Sequence, residues 1–181
     1  MTDHQKLLMH FEQERIKDKR FMKQILKNCS EATMAFFDEP YPYIVPMNYG
    51  FEWKETLIFY LHTAPDGHKN QLLRKNNRVA LNIHQFLDRV GYKRVQGFDH
   101  DFRSVTCFGT AEIVRGDQEE EFLHGLSLLN QNNHRPPLIR VAPAWKEKIV
   151  LIKVTVDQIT GKAQYPLDTM EDVEIPPNCL K

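Results

Sequence analysis

The period of the hydrophobic positions changes along the chain, and each change predicts a different element. Residues 3–28 carry two apolar stripes at helical spacing in a strongly charged background, which predicts one helix or two. From residue 31 onward, short β-branched and aromatic runs predict strands. The predicted strands are 31–38, 43–51, 56–63, 78–86, 104–114 and 149–159, and the helices that lie between them are 68–75 and one that begins near Gly116.

Strands and helices do not alternate as in βαβ units, so the pattern favours an antiparallel sheet closed as a barrel. The fold class is therefore predicted to be mainly β (α+β), with a six-stranded antiparallel β-barrel and flanking helices. Three regions are expected: an N-terminal helical segment at 1–28, the barrel domain at 29–162 and an extended C-terminal tail at 163–181. Polar residues at 88–102 predict a loop. Pro46 lies inside a predicted strand and cannot donate to a ladder, which predicts an edge or a bulge.

Composition and charge narrow the function classes. The 181 residues carry 24 Lys+Arg and 24 Asp+Glu, and this balance argues against a basic nucleic-acid-binding protein. No apolar run approaches the ~20 residues that span a bilayer, so no membrane association is expected. The first residues run directly into mixed charges, which predicts no signal peptide. Cys29, Cys107 and Cys179 fit neither a disulfide framework nor a zinc site, so a cytoplasmic location is expected.

One segment carries candidate chemistry, namely a predicted strand that runs through a tight turn into the start of a helix. Backbone N–H groups at 66–69, the helix dipole, and the side chains of His68 and Lys69 together favour a bound anion such as phosphate. His62 and Thr63, at the end of the strand, would add a ring nitrogen and a hydroxyl. The alternative is a basic helix start that binds nothing, which is the commoner case.

Other catalytic signatures are missing from the sequence. The eight histidines show no HxxxH or HExxH spacing and no cysteines are paired, so no metal site is expected. No serine lies in a GxSxG elbow, and the phosphate-binding patterns GxxxxGK[ST] and GxGxxG are absent. Hydrolase, P-loop and Rossmann interpretations are therefore not favoured.

Four stretches are informative in combination: PYIVPMNYGF (42–51), FYLHTAPDGHKNQLLRKNNRVALNI (59–83), FRSVTCFGTAEIV (102–114) and ITGK (159–162). In this order they resemble the nitroimidazole-resistance (Nim) proteins of the FMN-binding split-barrel superfamily, which also contains pyridoxamine 5′-phosphate oxidase. The run RIKDK (15–19) is similar to the start of these proteins as well. The resemblance spans most of the chain, so it is more specific than any one short motif.

The resemblance implies a homodimeric split barrel that binds FMN in a groove between subunits. The β-strand after Pro42 would line the flavin and its ribityl chain, the turn and helix start would hold the phosphate, and a serine would reach the flavin from a facing strand or subunit. In this sequence the implied cofactor-binding residues are Tyr43, Val45, Pro46, Met47, Asn48, His62, Thr63, His68, Lys69 and Ser104.

The resemblance leaves three roles open for His62. The residue matches a histidine near the flavin in Nim proteins, which makes it the candidate catalytic residue on the substrate side. A contact to the phosphate and a plain position on the rim are the alternatives.

The sequence also departs from the pyridoxamine phosphate oxidases. Those enzymes carry Arg at the position of Tyr43 and an Arg-Lys pair at the positions of His68 and Lys69. An imidazole titrates near neutral pH whereas a guanidinium does not, so phosphate binding here is expected to be weaker and more sensitive to pH. The C-terminal Arg/His motif that binds the substrate of those oxidases is missing.

The implied function is that of an FMN-binding flavoprotein, an oxidoreductase that reduces small aromatic or nitro compounds with NAD(P)H as a candidate electron donor. Hydride or electron transfer would belong to the cofactor, while the protein supplies position and electrostatics. The alternative is a non-catalytic flavin- or haem-binding module for storage or sensing, because the same groove residues would serve both.

Overall fold

The computed structural model describes residues 14–87 and 101–163. Its elements in chain order are β1 (Arg15–Ile16), α1 (Lys19–Asn28), β2 (Glu31–Phe36), β3 (Tyr43–Trp53), β4 (Leu57–Thr63), α2 (His68–Lys75), β5 (Arg78–Leu87), β6 (Asp101–Val114), α3 (Glu119–Asn132), α4 (Pro143–Lys148) and β7 (Val150–Ala163). None of the helices in these ranges is long and apolar enough to cross a membrane.

The strand pairings of the described chain are all antiparallel, and the strands follow the order β1-β7-β4-β3-β2-β5-β6. β6 also pairs with β7, so strands β2 to β7 close into a six-stranded barrel. β1 is an additional short strand on β7, with Ile16 opposite Gly161. The predicted mainly β fold, with its six-stranded antiparallel barrel and flanking helices, is confirmed.

Alternation of side chains along the strands explains why the barrel closes around one core. In β2, Ala32, Met34 and Phe36 are buried, whereas Thr33 and Ala35 between them are partly exposed. Buried residues from the other barrel strands join the same core, as do the apolar faces of α1 and α2, whereas Tyr60, Val114 and Leu151 belong to a second cluster.

A second, smaller core lies on the outside of the barrel beneath α3. Phe122, Leu126 and Leu129 of this helix pack with Tyr60 of β4 and Leu151 of β7. The Tyr60 hydroxyl also donates to the Glu121 carboxylate, with 2.6 Å between the oxygens. α3 is therefore fixed to the barrel wall by both apolar packing and a hydrogen bond.

α3 comes into direct contact with the backbone of β3 at Gly50. A Cβ at Gly50 would lie 2.2 Å from the backbone nitrogen of Leu129 and 2.3 Å from the carbonyl carbon of Leu128. Asn132 holds the helix in this place, because its Nδ2 donates to the Tyr49 carbonyl at 3.1 Å. Only glycine leaves room for so close a crossing.

β3 exchanges its pairing partner halfway along its length. Residues 43–48 pair with β2, whereas Tyr49–Trp53 pair with β4. The other edge of residues 43–48 therefore has no strand partner within the described chain. Pro46, which has no N–H to donate, lies in this half and is opposite Thr33 of β2. The predicted edge character of the strand at Pro46 is confirmed.

Three local features differ from the sequence predictions. Residues 15–16, placed in the N-terminal helical segment, form β1, because Ile16 packs into the core when it pairs with β7. Residues 143–148, part of the connection before the last predicted strand, form α4, with Pro143 at a helix start where no N–H is needed. β7 continues to Ala163, into the range assigned to the tail.

Some predictions fall on other parts of the chain. The remainder of the tail and most of the 88–102 loop lie outside the described residues, as does the first half of the N-terminal segment. The end of that predicted loop is strand instead, because Phe102 pairs with Phe86 in the β5–β6 ladder.

Candidate functional site

The predicted anion site lies where β4 runs through a turn into α2. Gly67 precedes the helix, and no side chain in the described part of the chain caps it. The Gly67 carbonyl accepts from the N–H groups of Asn70 and Gln71, at 3.1 and 3.2 Å. The N–H groups of Gly67, His68 and Lys69 have no partner among the described residues, as is usual in the first turn of a helix. These donors and the helix dipole favour a negative charge at this point.

Asn70 holds the turn in its conformation. Its side chain is 3% exposed, and its Nδ2 donates to the carbonyls of Ala64 and Pro65 at 2.8 and 2.7 Å. Its Oδ1 is buried and has no hydrogen-bond partner among the described residues. The N–H groups of the helix start are therefore presented by a turn with a fixed backbone.

His68, one of the two predicted cations of the turn, is engaged by a carboxylate. Its Nε2 donates to Asp38 Oδ2 at 2.7 Å, and its ring packs edge-on against Tyr43 with 4.9 Å between the centroids. The hydrogen bond from His68 holds the pKa of the Asp38 carboxyl below its usual range. Because the His68 ring is engaged by the Asp38 carboxylate, Lys69 is the cation of the turn that remains available to a bound anion.

The five predicted flavin-lining residues of β3 divide between two faces of the strand. The side chain of Met47 lies in the barrel core, so Met47 can offer a ligand only its backbone groups, and the side chains of Tyr43 and Val45 are partly exposed and pack against this core. Pro46 and Asn48 alternate with them and face outward. The unpaired edge of this half-strand extends from Tyr43, beside the α2 turn, to Asn48.

Asn48 and His62 share a cleft of about 400 Å³ on the outer face of the barrel. Asn48 Nδ2 donates to the Ser30 carbonyl at 3.2 Å and to Asn133 Oδ1 at 3.3 Å. His62 is exposed at the end of β4, and Thr63 beside it is partly buried. The C-terminal half of α3 and the chain that follows it form the other walls of the cleft.

Ser104 lies away from the other predicted site residues. It pairs with His84 of β5 and with Lys162 near the end of β7. His62 pairs with Leu151, near the beginning of β7. Within one chain, Ser104 and the α2 turn therefore lie in different parts of the barrel.

Two features of the site were not predicted from the sequence. Asp38 is separated from His68 by 30 positions, and no local pattern indicates their contact. Arg135 and Arg140 line the cleft beside His62. The signal that could have found them is a pair of arginines in a connection, residues 130–144, that contains no Asp or Glu. Across the described ranges, no group of three His, Cys, Asp or Glu side chains is arranged to hold a metal ion.

Comparison with known proteins gives one match at the level of families. The sequence profile of the pyridoxamine 5′-phosphate oxidase family matches residues 18–163, which include every element from α1 to β7. No curated protein sequence matches the chain.

Several solved structures are similar to this fold. One is a candidate 5-nitroimidazole antibiotic resistance protein from Bacteroides thetaiotaomicron, 28% identical over 82% of this chain and 86% of that one, with a TM-score of 0.67. The flavocytochrome from Azotobacter vinelandii is 18% identical over 87% and 72%, with a TM-score of 0.61. A FAD-binding protein from Mesorhizobium loti is 18% identical over 82% and 96%, with a TM-score of 0.54. The last two likenesses concern the fold alone.

Proposed function

Because the chain belongs to the pyridoxamine 5′-phosphate oxidase family, we propose that it is a homodimeric flavoprotein that binds FMN and reduces small aromatic or nitro compounds. The proposal rests on the α2 turn. There Lys69 and three N–H groups that have no partner among the described residues lie beside the edge of β3 that no described strand pairs with. The similar nitroimidazole resistance protein supports the nitro compound as substrate, and the flavin-binding neighbours support the cofactor.

The residues of the α2 turn fit the phosphate of FMN. A phosphate ester accepts several charge-assisted hydrogen bonds, and the N–H groups of Gly67, His68 and Lys69 with the Lys69 ammonium are donors of that kind. The Thr63 hydroxyl, at the end of β4, is a further donor. Asp38 opposes the phosphate through its charge, while the hydrogen bond with the His68 ring occupies one oxygen of this carboxylate.

The open edge of β3 fits the flavin ring. Backbone N–H and C=O groups without a strand partner need other hydrogen bonds, and the pyrimidine part of a flavin presents alternating donors and acceptors along one side. Tyr43 is at one end of this edge, next to the α2 turn, and Asn48 is at the other end, in the cleft with His62. FMN would therefore extend from the turn towards the cleft.

FMN, when bound, supplies hydride or electron transfer to a small substrate. The residues of the chain bind and orient that substrate and provide a proton. His62 is the proposed proton donor, because its imidazole is exposed in the cleft and a ring nitrogen of an imidazole can carry a proton to a bound substrate. The apolar walls of the cleft, which include Leu129 and Ile149, exclude water from a bound aromatic ring.

The homodimer is proposed from the outward surface of the barrel. Ile44 and Phe86 are 55% and 67% exposed, and small residues such as Ala35 and Ala80 lie on the same outer face of β2 and β5. A second copy would cover this surface, and its Ser104 could reach a flavin that Ser104 of the first copy cannot. Sedimentation should give twice the 21.3 kDa of one chain, and the Ala80→Arg variant should sediment as a monomer. A parent protein of 21.3 kDa at all concentrations would contradict the dimer.

Binding of FMN and of riboflavin to matched variants tests the phosphate assignment. Lys69→Ala should weaken FMN binding about tenfold to a hundredfold, the range for a hydrogen bond to a charged group, and leave the binding of phosphate-free riboflavin unchanged. Arg74→Ala removes the same charge at the other end of α2 and serves as the control. Equal FMN affinity in Lys69→Ala and the parent would overturn the assignment.

Turnover distinguishes an oxidoreductase from a binding module. NAD(P)H should reduce the bound flavin, and a nitroaromatic compound should reoxidise it with loss of its nitro absorbance. His62→Gln should slow the reoxidation without weakening FMN binding. A flavin that is bound but never reduced under these conditions would favour the non-catalytic module.

A further inference from the structure

The cleft beside His62 combines apolar walls with two guanidinium groups. Leu129 of α3, Leu138 and Trp145 form apolar surface, while Arg135 and Arg140 line the same volume of about 400 Å³. No Asp or Glu side chain of the described residues lines the cleft. This volume falls in the range of small-molecule sites, where a few polar groups orient a largely apolar ligand.

The charge of the cleft is not neutralised by the described chain. Neither Arg135 nor Arg140 has an ion-pair partner in residues 14–87 or 101–163. Other cations near α3 are paired: Lys146 Nζ lies 2.6 Å from Glu119 Oε1, and Lys153 Nζ lies 2.9 Å from Glu121 Oε1. The cleft is therefore a local concentration of positive charge in a chain whose formal net charge is zero.

The chain segment that carries the arginines is held in place by hydrogen bonds to α3. The Arg135 N–H donates to the Asn130 carbonyl at 2.8 Å, and Asn130 Nδ2 donates to the Pro136 carbonyl at 3.1 Å. Ser127 Oγ donates to the Leu138 carbonyl at 3.0 Å and accepts from the Leu138 N–H at 3.1 Å. The backbone from Arg135 to Leu138, two residues before Arg140, is thus positioned before any ligand binds, which reduces the entropic cost of binding.

We propose that this cleft is the substrate subsite and that it selects small aromatic carboxylates, whose ring packs between Trp145 and α3 and whose carboxylate pairs with Arg135 and Arg140. The assignment rests on the proposed function, since it places the substrate next to His62 at the end of the open β3 edge. A guanidinium presents paired N–H donors that match the two oxygens of a carboxylate, so an aromatic acid is favoured over a neutral ring of the same size.

Tryptophan fluorescence tests the proposal without turnover. Trp145 is 60% exposed at the cleft, so a bound nitroaromatic ring should quench it. The probes are 4-nitrobenzoate and its neutral analogue 4-nitrobenzyl alcohol, each titrated with and without saturating FMN. Parent protein should bind 4-nitrobenzoate at least about tenfold more tightly than the alcohol. In Trp145→Phe, which retains Trp53, the saturable part of the quench should disappear.

Variants of the arginines assign the carboxylate contact. The double variant Arg135→Gln/Arg140→Gln should lose the preference for 4-nitrobenzoate and bind both probes alike, while binding FMN as the parent does. Arg115→Gln, an exposed arginine outside the cleft, should retain the preference and is the matched control.

The possible results separate this inference from the proposed function. If the protein binds 4-nitrobenzoate saturably but binds no FMN, the proposed subsite for aromatic carboxylates is supported and the proposed flavin cofactor is contradicted. Normal FMN binding with no preference between the two probes would overturn the subsite alone. A loss of FMN affinity in the double variant would also overturn it, because the arginines would then hold the flavin phosphate.

Discussion

The Gly50→Ala substitution tests whether α3, which forms a wall of the proposed substrate cleft, is fixed by direct contact with the β3 backbone. The new Cβ would lie 2.2 Å from the Leu129 nitrogen and 2.3 Å from the Leu128 carbonyl carbon. Both contacts are with helix backbone, which cannot move aside by a change of rotamer as a side chain can. The helix must therefore move away by roughly 1 Å to restore an ordinary contact distance.

The expected loss of stability in Gly50→Ala follows from the cost of overpacking a core. Such substitutions destabilise by about 1–3 kcal/mol, and a contact between rigid backbone atoms belongs at the upper end of that range. In a chain of this size each kcal/mol lowers Tm by about 2–4 °C, so a decrease of about 6–12 °C is expected. The shift of α3 should also lengthen the hydrogen bond from Asn132 to the Tyr49 carbonyl, now 3.1 Å.

Thermal unfolding followed by circular dichroism, at one fixed FMN concentration, measures this effect. Arg115→Gln is the control, because this side chain is exposed and lies outside the contact of α3 with β3. This control should stay within about 0.5 kcal/mol of the parent. If Gly50→Ala unfolds at the temperature of the parent, or if both variants lose stability equally, α3 is not fixed as described.

Two further predictions concern groups whose pKa the structure shifts. Tyr60→Phe should cost about 1–3 kcal/mol in urea unfolding, because Glu121 loses its hydrogen bond while the ring stays buried. That hydrogen bond lowers the pKa of Glu121 below its ordinary value of 4.5. The stabilisation from the ionised carboxylate is therefore present above pH 4.5 and is lost on acidification. The parent protein should lose more stability than Tyr60→Phe as the pH falls below 4.5. Burial raises the pKa of Cys29 to about 11 and that of Cys107 to about 12. In a Cys179→Ser variant, both thiols should therefore react slowly with a disulfide reagent at about pH 8. A fast reaction before unfolding would contradict the shielding of these thiols.

Local periodicity was sufficient to predict the barrel strands and α2. α2 runs from His68 to Lys75 as predicted, since a turn precedes it and two asparagines follow it. In β7, for example, buried Ile152 and Val154 alternate with partly exposed Lys153 and Thr155. Such patterns are properties of short segments, and they determine which side of a strand faces the core.

Pairings between distant segments could not be predicted in this way. Ile16 forms a strand only because the end of β7 is available to pair with it, and nothing in its own neighbourhood indicates that partner. The contact of Asp38 with His68 depends equally on the folded barrel. The helix-start pattern and the resemblance to a known family both pointed to the α2 turn and Lys69 as the candidate phosphate site, but neither indicated that His68 contacts Asp38.

The absorption spectrum of the purified protein after gel filtration with added FMN tests the central claim most directly. We expect flavin absorbance to co-elute with the protein at one FMN per subunit, and we expect Lys69→Ala to elute with much less flavin than Arg74→Ala. A colourless parent protein that retains no added FMN would contradict the flavin site at the α2 turn, and with it the proposed function.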